Sequence, residues 1–204
     1  MTAPLVHVVE DDRGVRTSLM RVLSYAGFDT RSYASAGEFL VADHEDRHGC
    51  LVLDVGLPGL SGVELQAALA KRPDCPPIVF VTGRDDVDTG VLAMKKGAVD
   101  FLTKPVRRDA LLGAVREALD RDSRRRSRDG ELQALRARAS RLTPREHDVF
   151  VRVVDGKLNK QIAEELGTSI RTVKAHRAKV MQKMEVASIA GLVSAATRLG
   201  TPPP

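Results

Sequence analysis

Short apolar runs alternate with stretches of helical periodicity through the first 120 residues, and this alternation restricts the fold more than any other feature of the chain. The runs are Leu5–Val9, Phe28–Tyr33, Cys50–Leu53, Ile78–Val81 and a weaker Phe101–Leu102. Between the first two, Val15, Leu19, Val22, Leu23 and Ala26 recur at helical spacing and stop at Gly27, a suitable C-cap. Ser35 and Glu38 match a capping box that opens a helix through Phe39, Leu40 and Ala42. Amphipathic stretches follow near 63–71 and 86–96, and another helix starts around Asp109. Strand and helix in alternation imply a parallel sheet covered on both faces, because right-handed crossovers place helices there. The expectation is an α/β domain with a five-stranded doubly wound parallel sheet in the order 2-1-3-4-5.

The carboxyl ends of four of these strands carry polar residues: Glu10, Asp11 and Asp12 after the first, Asp54 after the third, Thr82 after the fourth and Lys104 after the fifth. Ligands bind at that edge of an open parallel sheet, and the first and third strands are neighbours across the point where the order reverses. Glu10 and Asp11 are therefore expected beside Asp54. Three carboxylates in one cleft repel one another, and a hard divalent cation holds them ionised together; Mg²⁺ fits best, with phosphate oxygens and waters as its other ligands. An Asp54 carboxylate neutralised in this way can attack phosphorus, while Lys104 and the Thr82 hydroxyl supply positive charge and a hydrogen bond to the transferred group. Any one of these acids alone reads as a helix N-cap or a solvated turn; four matching strand ends make coincidence a poor account.

Charge divides the chain. Residues 1–119 carry 14 Lys and Arg against 17 Asp and Glu, and residues 120–204 carry 18 against 10, so only the second part suits a polyanion. After Leu119 the composition shifts to RDSRRRSRDG, almost without apolar residues, which marks a boundary. Leu132, Leu135, Ala139 and Leu142 then read either as a linker helix, continuous with the preceding one or broken at Gly130, or as a solvated connector. Thr143, Pro144 and Glu146 combine an N-cap, a proline at the first helical position and a capping-box acid. Helices are predicted near 144–154, 159–166, 170–184 and 188–199, an all-α domain in which two helices joined at Gly167–Ser169 form a helix-turn-helix. On a helical wheel of 170–184, Val173, Val180 and Met184 share one stripe, with Arg171, Lys174, Ala175, Ala178 and Gln182 roughly opposite. Arg171 and Lys174 can donate to guanine, and Ala175 can touch a thymine methyl. Lys160, Thr172, Arg177 and Lys179 suit phosphate contacts, although a solvated helix face accounts for Arg177 and Lys179 about as well.

Two blocks of motifs carry family resemblances. VVEDD at 8–12, LVLDVGLPGLSG at 51–62, VTG at 81–83 and AVDFLTKP at 98–105 resemble the flavodoxin-like receiver domain of two-component response regulators. LTPREHDVF at 142–150, NKQIAEELGTSIRTVKAHRAKVMQKM at 159–184 and SIAGLV at 188–193 resemble the LuxR-type helix-turn-helix output domain of the FixJ/NarL group. The resemblance implies a receiver over 1–120, a partly helical linker over 121–141 and a DNA-binding domain over 142–200. It also implies Asp54 as phosphoacceptor, Glu10, Asp11, Asp54 and the Gly56 carbonyl as Mg²⁺ ligands, Thr82 and Phe101 as switch residues, and Lys104 as a phosphoryl contact followed by a cis bond to Pro105. The implied partners are a sensor histidine kinase, double-stranded promoter DNA, a second copy of the chain on phosphorylation and, as a further candidate, RNA polymerase. Glu10 stands where aspartate is commoner, and Gly56 leaves the acceptor without a neighbouring side chain.

Other classes are disfavoured. Cys50 and Cys75 are too far apart for a CxxC motif and too few for a zinc site. Absence of Trp and 3% aromatics argue against a single-strand stacking platform. No apolar run approaches the roughly 18–20 residues of a membrane span, and no signal-peptide pattern opens the chain, so a cytoplasmic protein is expected. A phosphohydrolase using an aspartate nucleophile would carry a second acid two residues later, where Gly56 stands. The expected chemistry is therefore phosphoryl transfer to the protein's own aspartate and its slow loss, with no other enzymatic activity.

Overall fold

A computed structural model describes residues 5–42, 49–72, 74–83, 90 and 93–200. The chain divides into two compact units, Met1–Arg125 and Arg126–Pro204. In the first unit β1 (Leu5–Val9), β2 (Asp29–Tyr33), β3 (Gly49–Asp54), β4 (Ile78–Thr82) and β5 (Asp100–Thr103) form one sheet in the order β2-β1-β3-β4-β5. Every pairing is parallel. The helices are α1 (Arg13–Tyr25), α2 (Ala36–Val41), α3 (Gly62–Leu69) and α4 (Arg108–Ala139), the last of which extends past the division between the units. The helical stretch expected at 86–96 lies mostly outside the described residues.

β3 and β4 are buried at every position because helices cover both faces of the sheet, which is why their sequences read as unbroken apolar runs. On one face Val8, Val52 and Val81 pack with Leu19 and Leu23 of α1 and Leu111 and Val115 of α4. On the other, Leu53 and Phe80 pack with Phe39 of α2 and Leu65 and Leu69 of α3. Each such side chain removed from water contributes about 1.5–3 kcal/mol. β5 has only one fully buried residue, Leu102, which explains its weak sequence signal. Close approach sets two glycines. A Cβ on Gly49, at φ +140°, would stand 1.7 Å from the Leu5 carbonyl oxygen, and one on Gly62 would stand 2.2 Å from the Asp54 carbonyl oxygen, so α3 begins directly against the end of β3.

The second unit contains the last turns of α4 together with α5 (Pro144–Val154), α6 (Asn159–Glu165), α7 (Ile170–Met184) and α8 (Ile189–Leu199). The Thr143–Glu146 capping box opens α5 with proline in its first turn, and Ser169 and Ser188 cap α7 and α8. Of the alternatives open for the linker, α4 takes the continuous one and runs through Gly130 without a break. One interior glycine costs about 1 kcal/mol. The i,i+4 pairs Glu117–Arg121 and Asp120–Arg124 support the helix, and so does the burial of Leu135 against Phe150, Val154 and Met184. Residues near Leu135 thus belong to the core of the second unit and are not a solvated connector. No helix among the described residues is long and apolar enough to cross a membrane.

Candidate metal centre and nucleic-acid interface

The sheet brings the predicted acids together. β1 and β3 run in register, Val9 opposite Leu53, so the residues that follow them leave the sheet at the same edge. Oxygens of Glu10, Asp11 and Asp54 lie within 4.8 Å of one another. Glu10 and Asp54 are buried, and Asp11 is exposed. Lys104, at the end of β5, reaches into this cluster, its Nζ 3.1 Å from Asp54 Oδ1 and 3.0 and 2.8 Å from the two oxygens of Glu10. The bond from Lys104 to Pro105 is cis.

The electrostatics follow from burial. Loss of hydration pushes the Glu10 carboxyl above its ordinary range, and Asp54 nearby adds to this, while the hydrogen bond from Lys104 pulls the other way. Burial alone would lower Lys104, but its hydrogen bonds to Glu10 and Asp54 outweigh that and hold the ammonium above its usual value. One lysine against three carboxyl groups leaves negative charge in excess. Glu10 Oε2, fully buried, accepts no aligned hydrogen bond although Lys104 is near. A small cation with oxygen ligands fits this donor set.

Other predicted residues fall around the cluster. Thr82 is buried at the end of β4. Gly56 is exposed, and a Cβ there would sit 3.6 Å from Asp54 Oδ2, an ordinary contact. Phe101 is half-buried on β5, opposite Phe80, with ring centroids 6.4 Å apart and its ring edge against Gly90. Asp12, the third acid of the run, instead caps α1 by accepting from the Val15 amide at 2.8 Å. Arg16 was not singled out by the sequence, yet its guanidinium donates to the carbonyls of Glu10 and Asp11 and braces the backbone that carries the acids.

In the second unit the faces of α7 separate as the wheel predicts. Val173, Val180 and Met184 are buried, and Arg171, Lys174, Ala175, Ala178, Lys179 and Gln182 are exposed, as is Lys160 at the start of α6. Thr172 is half-buried, its hydroxyl 2.8 Å from the hydroxyl of the Ser169 cap. Arg177 is not simply a solvated side chain of the helix face. It is half-buried, and its Nη1 donates to Asn159 Oδ1 on α6. Lys183 turns away from the exposed face and binds Glu146 Oε2 and the Arg141 carbonyl. That pair holds Glu146 down to about 2, the Lys183 hydrogen bond acting first and the Thr143 amide second.

Comparison with known proteins gives the same division. Residues 6–116 match the response regulator receiver domain, and residues 140–196 match the luxR family of bacterial regulatory proteins. The chain is 44% identical over 199 residues to nodulation protein W of Bradyrhizobium diazoefficiens, covering 98% of this chain and 88% of that one. It is 40% identical over 198 residues to the transcriptional regulatory protein FixJ of Azorhizobium caulinodans, covering 97% and 94%. Among solved structures, the response regulator StyR superposes with a TM-score of 0.86 at 43% identity over 97% of this chain and 100% of that one. Full-length FixJ from B. japonicum gives 0.59 at 38% identity over 99% and 100%. With both halves accounted for and relatives that span nearly its whole length, the chain belongs to the response regulators: it is a transcriptional regulator that joins a receiver domain to a LuxR-type DNA-binding domain.

Proposed function

We propose that Asp54 is the phosphoacceptor, that Glu10, Asp11, Asp54 and the Gly56 carbonyl hold Mg²⁺, and that phosphorylation from a sensor histidine kinase controls DNA occupancy. The observation that carries this reading is Lys104 Nζ at 3.1 Å from Asp54 Oδ1 within a cluster of three carboxyl groups. Bound Mg²⁺ would supply charge neutralisation for the acids and for the oxygens of the incoming phosphoryl group. An Asp54 oxygen forms the new P–O bond as the donor's P–N bond breaks, and the electron pair leaves with the imidazole. Lys104 then exchanges part of its contact with Glu10 for a phosphoryl oxygen, and the Thr82 hydroxyl donates to another. As Thr82 moves, Phe101 turns inward and reshapes the face that β5 borders. Receiver pairing on that face raises the effective concentration of the second reading head at a two-fold DNA site. In this reading Arg171 and Lys174 meet base edges, Ala175 and Ala178 line the groove, and Lys160, Thr172, Arg177 and Lys179 lie along the backbone. RNA polymerase would then be met at the promoter.

Incubation with Mg²⁺ and acetyl phosphate tests the first half. One phosphoryl adduct that disappears in Asp54→Ala, with a shift from monomer toward dimer, is expected. An unchanged mass, or an adduct that survives the substitution, would overturn it. For the second half, Lys174→Ala is expected to weaken specific DNA binding by about 1–3 kcal/mol; undiminished affinity and sequence preference would show that another face reads DNA.

A further inference from the structure

Two side chains tie the helices of the helix-turn-helix together on the flank of the reading face. Asn159 opens α6, and Arg177 stands 18 positions later in the middle of α7. Arg177 Nη1 donates to Asn159 Oδ1, and the arginine is half-buried. On the helical wheel Arg177 lies between the buried stripe of Val173 and Val180 and the exposed stripe of Lys174 and Ala178, on the side where α6 packs. A guanidinium carries five N–H donors in a planar fork. Engaging Nη1 orients the plane and leaves the edge formed by Nε and Nη2, a pair spaced for the two oxygens of one phosphate. Lys160, exposed and next to Asn159, adds a second positive charge at the same end of α6.

We propose that Asn159 is a positioning residue for DNA binding: it holds the Arg177 guanidinium in the one orientation that presents a two-donor edge to a backbone phosphate. A flexible exposed lysine loses side-chain freedom when it meets DNA, whereas an arginine held by Asn159 has lost most of it already. The pair fixes the register of α7 along the duplex and leaves base choice to Lys174 and Arg171. This rests on the DNA-binding reading of α7.

The test measures binding of the full-length protein, with Mg²⁺ and acetyl phosphate present, to a duplex selected by the protein from a random pool and to an unrelated duplex, across a salt series. Arg177→Gln is expected to weaken both duplexes by the same factor and to lower the slope of log affinity against log salt by about 0.9 for the one phosphate lost. Asn159→Ala is expected to reproduce much of that loss in the wild-type background and to add nothing in the Arg177→Gln background. Guanidinium NMR supplies a readout apart from binding, with slow rotation of the Arg177 Nη groups in the parent and fast rotation in Asn159→Ala. Additive effects of the two substitutions, an unchanged salt slope, or unchanged Arg177 rotation would overturn the proposal. Lys174→Ala is the control for the underlying reading: if it leaves selectivity between the two duplexes intact, α7 is not the reader, whereas lost selectivity with an uncoupled Asn159 and Arg177 rejects this proposal alone. Should Asn159→Ala lower the melting temperature, Arg177→Lys keeps the test open; it retains charge without the fork, and Asn159→Ala must then have no further effect on the slope.

Discussion

At Glu146 a capping box and an ion pair act on the same carboxylate. Its Oε2 accepts from the Thr143 amide at 2.8 Å and from Lys183, and together these hold its pKa near about 2 against an ordinary 4.5. A depressed folded-state value means that this group's contribution is complete above about pH 4.5 and is lost as pH falls from there toward about 2. Resistance of the second unit to urea should therefore fall as pH drops through that window, and Glu146→Gln should flatten the dependence; an unchanged acid limb would disprove the linkage. Gly49 makes a different demand on the chain, because a side chain would enter the Leu5 carbonyl at 1.7 Å and would occupy a φ of +140°. Gly49→Ala should cost about 4 kcal/mol or more, measured as a shift of the denaturant midpoint of the receiver. The acids of the cluster were legible because each follows a recognisable apolar run. Asp122 was not. It looks like one more charge in an Arg-rich stretch, yet it is buried, with Oδ2 accepting from the Gly49 amide 73 positions away.

α4 shows what element-level reading catches and what it misses. Its first turns were legible from Leu111, Leu112 and Val115, which are spaced for one face and pack on the sheet. Between 120 and 130 periodicity disappears, because the residues that face protein there are Asp122 and Arg125 rather than aliphatics. Arg125 joins Asp122 Oδ1 at 2.7 Å and the Cys75 carbonyl, so the pair fastens this stretch of helix to the entries of β3 and β4. Asp122→Ala leaves the Gly49 amide without its acceptor and should destabilise the receiver by about 1–3 kcal/mol in denaturant titrations, without abolishing phosphoryl uptake at Asp54. Further along, Leu135 is 6% exposed. Leu135→Ala should lower the stability of the second unit by about 2–5 kcal/mol in urea melts, whereas a linker residue would show almost no change. The helices α5 to α8 were all legible, since each begins or ends on a capping signal and carries a clear apolar face.

For the whole molecule, the two functions meet in one chain and the proposed control can be tested by removing only the acceptor. Asp54→Ala should retain the DNA affinity of the unphosphorylated protein and lose the increase that acetyl phosphate produces in the parent, as read by footprinting on a selected duplex. An Asp54→Ala protein that still responds would place control elsewhere. The alternation of strands and helices, the polar strand ends and the charge contrast between the halves were determined by sequence alone, because local periodicity and composition report them without knowledge of any distant contact. Tertiary structure decided the rest. It let Lys104 lie between Glu10 and Asp54, bound Arg177 to Asn159, buried Asp122 against the Gly49 amide and put Leu135 of the apparent linker into the core of the second unit. Each of these depends on a hydrogen bond or a packing contact whose partner stands on another turn or another element, and no pattern along the chain carries that distance.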